Sequence, residues 1–133
     1  MPLRYENLSG QIINAAIEVH RRLGPGFLES IYEHALVIEL TSRGIDVQRQ
    51  VEIEVFYNGQ GVGLHRLDLL VADHFIVELK AVQRLDDVHL CVVRSYLKAS
   101  NQEQGLLLNF ARPILEIKRV FLHPASSSDS CLP

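Results

Sequence analysis

No run of roughly 18 apolar residues occurs anywhere in the chain, which removes a membrane-spanning helix, and the opening MPLRYENLSGQ has no apolar stretch of the kind a secretory leader needs. A cytoplasmic protein with no membrane partner is therefore expected. Two cysteines are too few for a disulfide framework. Cys91 lies in an apolar helical pattern and Cys131 in the polar stretch SSSDSCLP, so the two are not expected to meet. Clustered histidines and CxxC pairs are absent, which argues against zinc. A glycine-rich phosphate loop, a nucleophile elbow and a catalytic cysteine–histidine pair are absent as well. Surplus basic charge is also lacking: with a formal net charge of -3, contact with nucleic acid would have to use a local basic patch.

What is present suffices for one core. A chain of 133 residues fits a single domain. Leu8, Ile12, Ile13, Ala16, Val19 and Leu23 follow the helical period until Gly24-Pro25-Gly26 breaks it, and a second helix runs from about Leu28 to Arg43, where Gly44 supplies a stop. From Val47 the period becomes two, with Val51, Ile53 and Val55 alternating with Gln50, Glu52 and Glu54. Asn58-Gly59-Gln60-Gly61 marks a hairpin turn, after which strands are expected over about Val62 to Ala72 and Phe75 to Val82, joined by Asp73-His74. Asp86 or Asp87 caps a helix reaching about Ala99, and two strands, Leu106 to Phe110 and Leu115 to Phe121, complete the pattern. The fold class is α/β: two N-terminal helices, a three-strand antiparallel meander, a crossover helix and two further strands in a mixed five-stranded sheet covered on both faces. The domain is expected over residues 1–124, with a disordered polar tail over 125–133.

The stretch GLHRLDLLVADHFIVELKAV, from Gly63 to Val82, sets Asp68, Glu78 and Lys80 into apolar strand patterns. A carboxylate removed from water costs several kcal/mol unless paired, hydrogen-bonded or metal-bound. Strand alternation puts Glu78 and Lys80 on one face. A two-residue turn at Asp73-His74 would set Asp68 opposite Leu79 and diagonal to Glu78 and Lys80, so that a register shift or bulge is needed to unite the three. Two readings follow. In one, Asp68, Glu78 and the backbone carbonyl of Leu79 hold Mg²⁺ (or Mn²⁺ in its place), and Lys80 serves the attacking water of a phosphodiester hydrolysis. In the other, Lys80 pairs with Asp68 or Glu78, or Arg66 with Asp68, as ordinary ion pairs of a sheet.

Gly26-Phe27-Leu28-Glu29-Ser30-Ile31-Tyr32 resembles the signature of the GxxExxY family, itself similar to the PD-(D/E)XK nuclease superfamily. Arg66-x-Asp68-Leu69-Leu70-Val71, Val77-Glu78-Leu79-Lys80-Ala81-Val82, Tyr96-Leu97-Lys98 and Gly105-Leu106-Leu107-Leu108-Asn109-Phe110 continue the resemblance in the same order. It implies a restriction-endonuclease-like core in which Glu29 projects from a helix toward the metal, Asp68 and Glu78 coordinate it, and Lys80 acts on the water. It also implies nucleic acid, DNA above all, as partner, and allows a homodimer. Val92 and Leu90 depart from the family's pattern, which commonly has Gln and Glu there. That leaves a metal-dependent nuclease beside a non-catalytic interaction or dimerisation domain of the same fold. Arg84, Arg94 and Lys98 are candidates for phosphate contact, with a solvated helix face as the alternative, and His65 and His89 could lie near the cluster. Taken by itself, Tyr32 reads as a packing aromatic whose hydroxyl reaches the surface.

Overall fold

A computed structural model describes residues 4–123. The tail expected over 125–133, and with it Cys131, lies outside the described residues. The elements run α1 (Arg4–Leu23), α2 (Glu29–Ser42), β1 (Val47–Tyr57), β2 (Gln60–Val71), β3 (Phe75–Lys80), α3 (Asp87–Ser100), β4 (Gln104–Asn109) and β5 (Glu116–Phe121). Their types and order match the periodicities of the sequence. Helix α2 stops as its C-terminal pattern requires: Gly44 has φ 77°, its N–H bonds to the Thr41 carbonyl, and the Ile45 N–H reaches back to Leu40.

The five strands lie in chain order in one sheet. β1, β2 and β3 are antiparallel neighbours, β3 and β4 are parallel, and β5 runs antiparallel to β4. A parallel pair cannot be joined by a tight turn, and α3 provides the crossover. Each face of the sheet carries its own core. Ile12, Tyr32, Leu36 and Leu40 of the first two helices pack with Leu69, Val71, Val77, Leu79, Leu106 and Leu108. Val93 and Leu97 of α3 pack with Leu67, Ile76, Leu107 and Val120 on the other side, joined by Leu90 and Tyr96. Leu90 is thereby accounted for within the chain, since it helps to cover the sheet, whereas Val92 belongs to neither core and Val88 is exposed.

The β2–β3 register corrects the sequence expectation by one residue. Leu69 pairs with Val77, Leu70 with Ile76 and Val71 with Phe75, so the loop holds three residues, Ala72 to His74, rather than two. Ala72 and Asp73 both take left-handed φ values, 52° and 62°, and the His74 N–H bonds back to the Val71 carbonyl. Left-handed geometry at an alanine is not written in its side chain, so the sequence pattern alone points to the shorter loop. The consequence is favourable: continuing this register sets Asp68 across from Glu78 instead of Leu79.

β3 and β4 approach closely at Gly105. A Cβ there would lie 2.6 Å from the Ile76 carbonyl oxygen, a backbone atom with no freedom to swing away. Gly105→Ala is therefore expected to lower unfolding free energy by about 1–3 kcal/mol, checked by urea denaturation. An unchanged midpoint would show that the strands can separate without cost.

Candidate active site

At the C-terminal end of β3 the meander comes apart. Its pairing with β2 extends only as far as Leu69 and Val77. Two residues on, where a ladder would continue backbone to backbone, the Leu79 N–H donates to Asp68 Oδ2 at 2.9 Å. The side chain of Asp68 thus fills the gap that opens between the two strands. Because N–H and C=O of one strand residue point to the same side, and the Lys80 carbonyl faces β4 by accepting from the Phe110 N–H, the Leu79 carbonyl faces this same gap.

Glu78 and Lys80 share the α3 face with Ile76, as alternation demands. Glu78 is buried, at 5% exposure. Its Oε2 lies 4.0 Å from Lys80 Nζ, the outer limit of an ion pair, and its Oε1 is buried with no hydrogen-bond partner. Burial, and then the neighbouring Asp68 charge, push the Glu78 carboxyl up to about 8 from its usual 4.5, with Lys80 acting in the opposite direction. Asp68 is raised as well, first by burial, against the Leu79 hydrogen bond, with Glu33 and Glu29 adding repulsion. Tyr96 on α3 is pushed up to about 12 by burial and by the same two carboxylates, which keeps a neutral phenol on that flank. Arg66 pairs with Glu52 across the hairpin at 3.2 Å and not with Asp68. The Lys80–Glu78 contact remains of the ion-pair reading, and it leaves one carboxylate oxygen unsatisfied.

Glu29 opens α2, and its Oε2 accepts from the Ala81 N–H at 3.2 Å, so it reaches the exit of β3 from the other side. Among the described residues no three His, Cys, Asp or Glu side chains come together as a metal-binding group, so Glu29 does not join Asp68 and Glu78 as a third ligand. The donors are two mutually repelling carboxylates, one carbonyl facing the gap, and open space. That composition fits Mg²⁺ or Mn²⁺ rather than a cage-bound metal, since Mg²⁺ is held by one or two carboxylates with water and phosphate completing its shell. The unpartnered Oε1 of Glu78 is the observation that a bound cation would explain.

Several supporting residues carry little signal in the sequence. Glu33, one turn along α2 from Glu29, is buried and accepts from Arg49 at 2.9 Å and from Gln50 at 3.0 Å. A signal existed: Arg49 occupies the same parity as Val47 and Val51, a charged residue in an apolar row. Asn109, fully buried at the end of β4, accepts from the Val82 N–H at 3.0 Å, donates to the Val82 carbonyl at 2.9 Å and to Glu116 Oε1 at 3.0 Å. Its amide acts as one more rung of the sheet, holding the chain just past Lys80.

Tyr32 is fully buried, contrary to the expectation that its hydroxyl reaches the surface. It stacks on Phe110 with ring centroids 4.6 Å apart, donates to the Gly24 carbonyl at 2.5 Å and accepts from the Phe27 N–H at 3.1 Å. The helix-breaking glycines leave backbone groups without helical partners, and the phenol takes them up. That fixes the loop from which Glu29 emerges. His89 closes a capping interaction by accepting from the Asp86 N–H at 2.9 Å, and His65 packs edge-on against Tyr96. Arg94 Nε donates to the Phe121 carbonyl at 3.0 Å, tying α3 to β5, whereas Arg84 and Lys98 are exposed.

The sequence profile of the PD-(D/E)XK nuclease superfamily matches residues 6–120. The chain belongs to that superfamily. Its fold agrees: the crystal structure of SSO0001 superposes with a TM-score of 0.57 at 17% identity, over 90% of this chain and 60% of that one. An alkaline exonuclease from Laribacter hongkongensis, LHK-Exo, superposes with a TM-score of 0.52 at 14% identity, over 83% of this chain and 68% of the exonuclease. At these identities the likeness is one of fold, and the chain spans little more than half the length of SSO0001. No curated protein matches the sequence. No described helix is long and apolar enough to cross a membrane.

Proposed function

We propose that the chain is a divalent-metal-dependent nuclease that hydrolyses phosphodiester bonds of DNA, with Asp68, Glu78 and the Leu79 carbonyl holding Mg²⁺ or Mn²⁺. The observation that carries this reading is the buried Glu78 carboxylate, repelled by the charge of the half-buried Asp68 and left with an unpartnered oxygen. Nucleases of this superfamily generally use divalent metal ions. When bound, the cation supplies charge neutralisation on the phosphate and acidifies water, together several kcal/mol of transition-state stabilisation.

The chain's own residues do the rest. Lys80, on the same face as Glu78, orients the attacking water and offsets negative charge on the pentacovalent phosphorus. Glu29 is spread over the exit of β3 by its Ala81 hydrogen bond and faces the entering water or metal from the α2 side. Arg84 and Arg112 supply the basic groups nearest the site: Arg84 is largely exposed and held only by a long 3.8 Å contact to the exposed Asp86, which phosphate would have to displace, and Arg112 Nη1 donates to the carbonyl of the adjacent Gln83 at 2.9 Å. Both lie on the chain leaving the site or bonded to it.

Cleavage of labelled linear and supercoiled DNA tests this. Nicking or shortening that requires Mg²⁺ or Mn²⁺ and stops with chelator is expected. Lys80→Ala should slow it by roughly 10²-fold or more, the range for losing a positioned acid–base or electrostatic group. Metal-independent cleavage, or Lys80→Ala turning over at the parental rate, would contradict the assignment.

A further inference from the structure

Both strands of the β1–β2 hairpin change faces at one rung. Val47 packs against the core of α1 and α2, while Val51 and Ile53 pack against that of α3. On β2, Leu69 and Val71 belong to the first core and Leu67 to the second. In a regular strand, residues two apart share a face, so each strand breaks its alternation once. The breaks coincide. Arg49 pairs with Leu69 and Val51 with Leu67, and between them no pairing of Gln50 with Asp68 is formed. Gln50 holds φ 53° in mid-strand, a left-handed conformation that a non-glycine residue keeps only when its surroundings enforce it.

The enforcing contact is visible. With Gln50 left-handed, the consecutive side chains of Arg49 and Gln50 both reach Glu33. Arg49 does so through Nε at 2.9 Å and Nη2 at 2.8 Å, and the Gln50 amide spans both carboxylate oxygens at 3.0 Å each. Glu33 is buried against this group on α2. On the other side of the rung, Asp68 sits where β2 changes faces, and its carboxylate points along the sheet to the Leu79 N–H instead of to either core.

We infer that Glu33, Arg49 and Gln50 form a positioning lock: Glu33 pins Gln50 in its left-handed state, and the resulting change of face in the hairpin turns Asp68 sideways into the gap beside Glu78. The inference deepens the proposed metal site and rests on it for function, but the orientation of Asp68 has a readout of its own. These are positioning residues, since none contacts the reacting atoms. Straightening the rung would return residue 68 to a regular face and free the Leu79 N–H to exchange with water.

The experiment compares Gln50→Val and Glu33→Gln with the parent in the full chain, well below their melting temperatures. Val is strongly disfavoured at positive φ, and Glu33→Gln keeps shape while removing the charge that holds Arg49. Amide hydrogen exchange read by NMR at Leu79, normalised to the buried Leu107 amide, is expected to speed up about 10-fold or more in both variants. Mn²⁺ affinity should weaken by about 10- to 100-fold, the usual cost of losing the support behind a metal ligand. If Gln50→Val does not fold, Glu33→Gln decides alone. A Leu79 amide as protected as in the parent overturns the lock, whatever happens to global stability. Absence of Mn²⁺ binding by the parent itself would refute the metal site, while the Leu79 exchange would still judge the lock.

Discussion

Metal-free Glu78→Gln protein is expected to be more stable than the parent at pH 8 by on the order of a few kcal/mol, and yet to lose divalent-metal binding and cleavage. Both effects have one cause. The folded chain raises the Glu78 carboxyl to about 8 from 4.5, because ionising it means placing a charge in a buried site beside Asp68. Between those values the folded state holds a proton that the unfolded chain has released. The contribution is fully present below about pH 4.5 and lost as pH rises through about 8. Stability of the apo protein should fall across this window by at most roughly 1.4 kcal/mol per pH unit from this group. Asp68, raised in the same direction, steepens the decline.

A neutral amide at position 78 removes that slope, so the variant and the parent should converge near pH 5 and separate toward pH 8. Urea titrations in chelator at both pH values measure this. Cleavage by the same variant should drop by roughly 10³-fold or more, since the metal's several kcal/mol of transition-state stabilisation goes with its ligand. Equal pH slopes in the two proteins would mean that Glu78 ionises freely, and the case for a cation there would lose its foundation. Mg²⁺ added to the parent should restore the stability lost at high pH, because an ion that binds only the folded state raises its free energy of unfolding.

Asn109→Ala is expected to be the most damaging substitution that touches no ligand. It strips partners from the Val82 N–H and carbonyl, the Ala111 N–H and the Glu116 carboxylate in one step. Each buried backbone group left unpaired costs about 1–3 kcal/mol, and water entering the space recovers part of it. A net loss of about 3 kcal/mol, or a melting temperature lower by roughly 10 °C, follows for a domain of this size. Asn109→Asp keeps one acceptor for the Val82 and Ala111 N–H groups but sets a negative charge against Glu116 and the Val82 carbonyl, so it should be no better. Calorimetry on both variants checks the claim. A shift of less than about 3 °C would show that the β3 exit is held by other contacts.

How far the site was legible depended on the range of the interactions involved. Helix α1, the Asn58-Gly59 hairpin, the crossover α3 and the apolar β4 were readable because each is a local pattern of period or turn chemistry. Glu78 and Lys80 stood out for a related reason, as charges inside the apolar row of β3. The register that joins them to Asp68 was not legible, since it depends on left-handed φ at Ala72 as well as at Asp73, and alanine has no preference for that conformation. The lock around Glu33 is longer in range still: it brings residues 16 and 17 positions apart into contact across a helix and a strand. Only Arg49, in the parity of Val47 and Val51, hinted at it. Asn109 read as part of an apolar strand and proved to be its terminal clamp.

The proposed metal site requires that Asp68 and Glu78 are held together for a cation. Titration of the full chain with Mn²⁺ at pH 7.5, followed by the loss of the free-ion electron paramagnetic resonance signal, addresses it most directly. Saturable binding is expected in the parent, with Asp68→Asn and Glu78→Gln each weakening it by about 10²-fold or more, as loss of a carboxylate ligand requires. Binding that persists unchanged in both variants, or no binding by the folded parent at millimolar Mn²⁺, would contradict it.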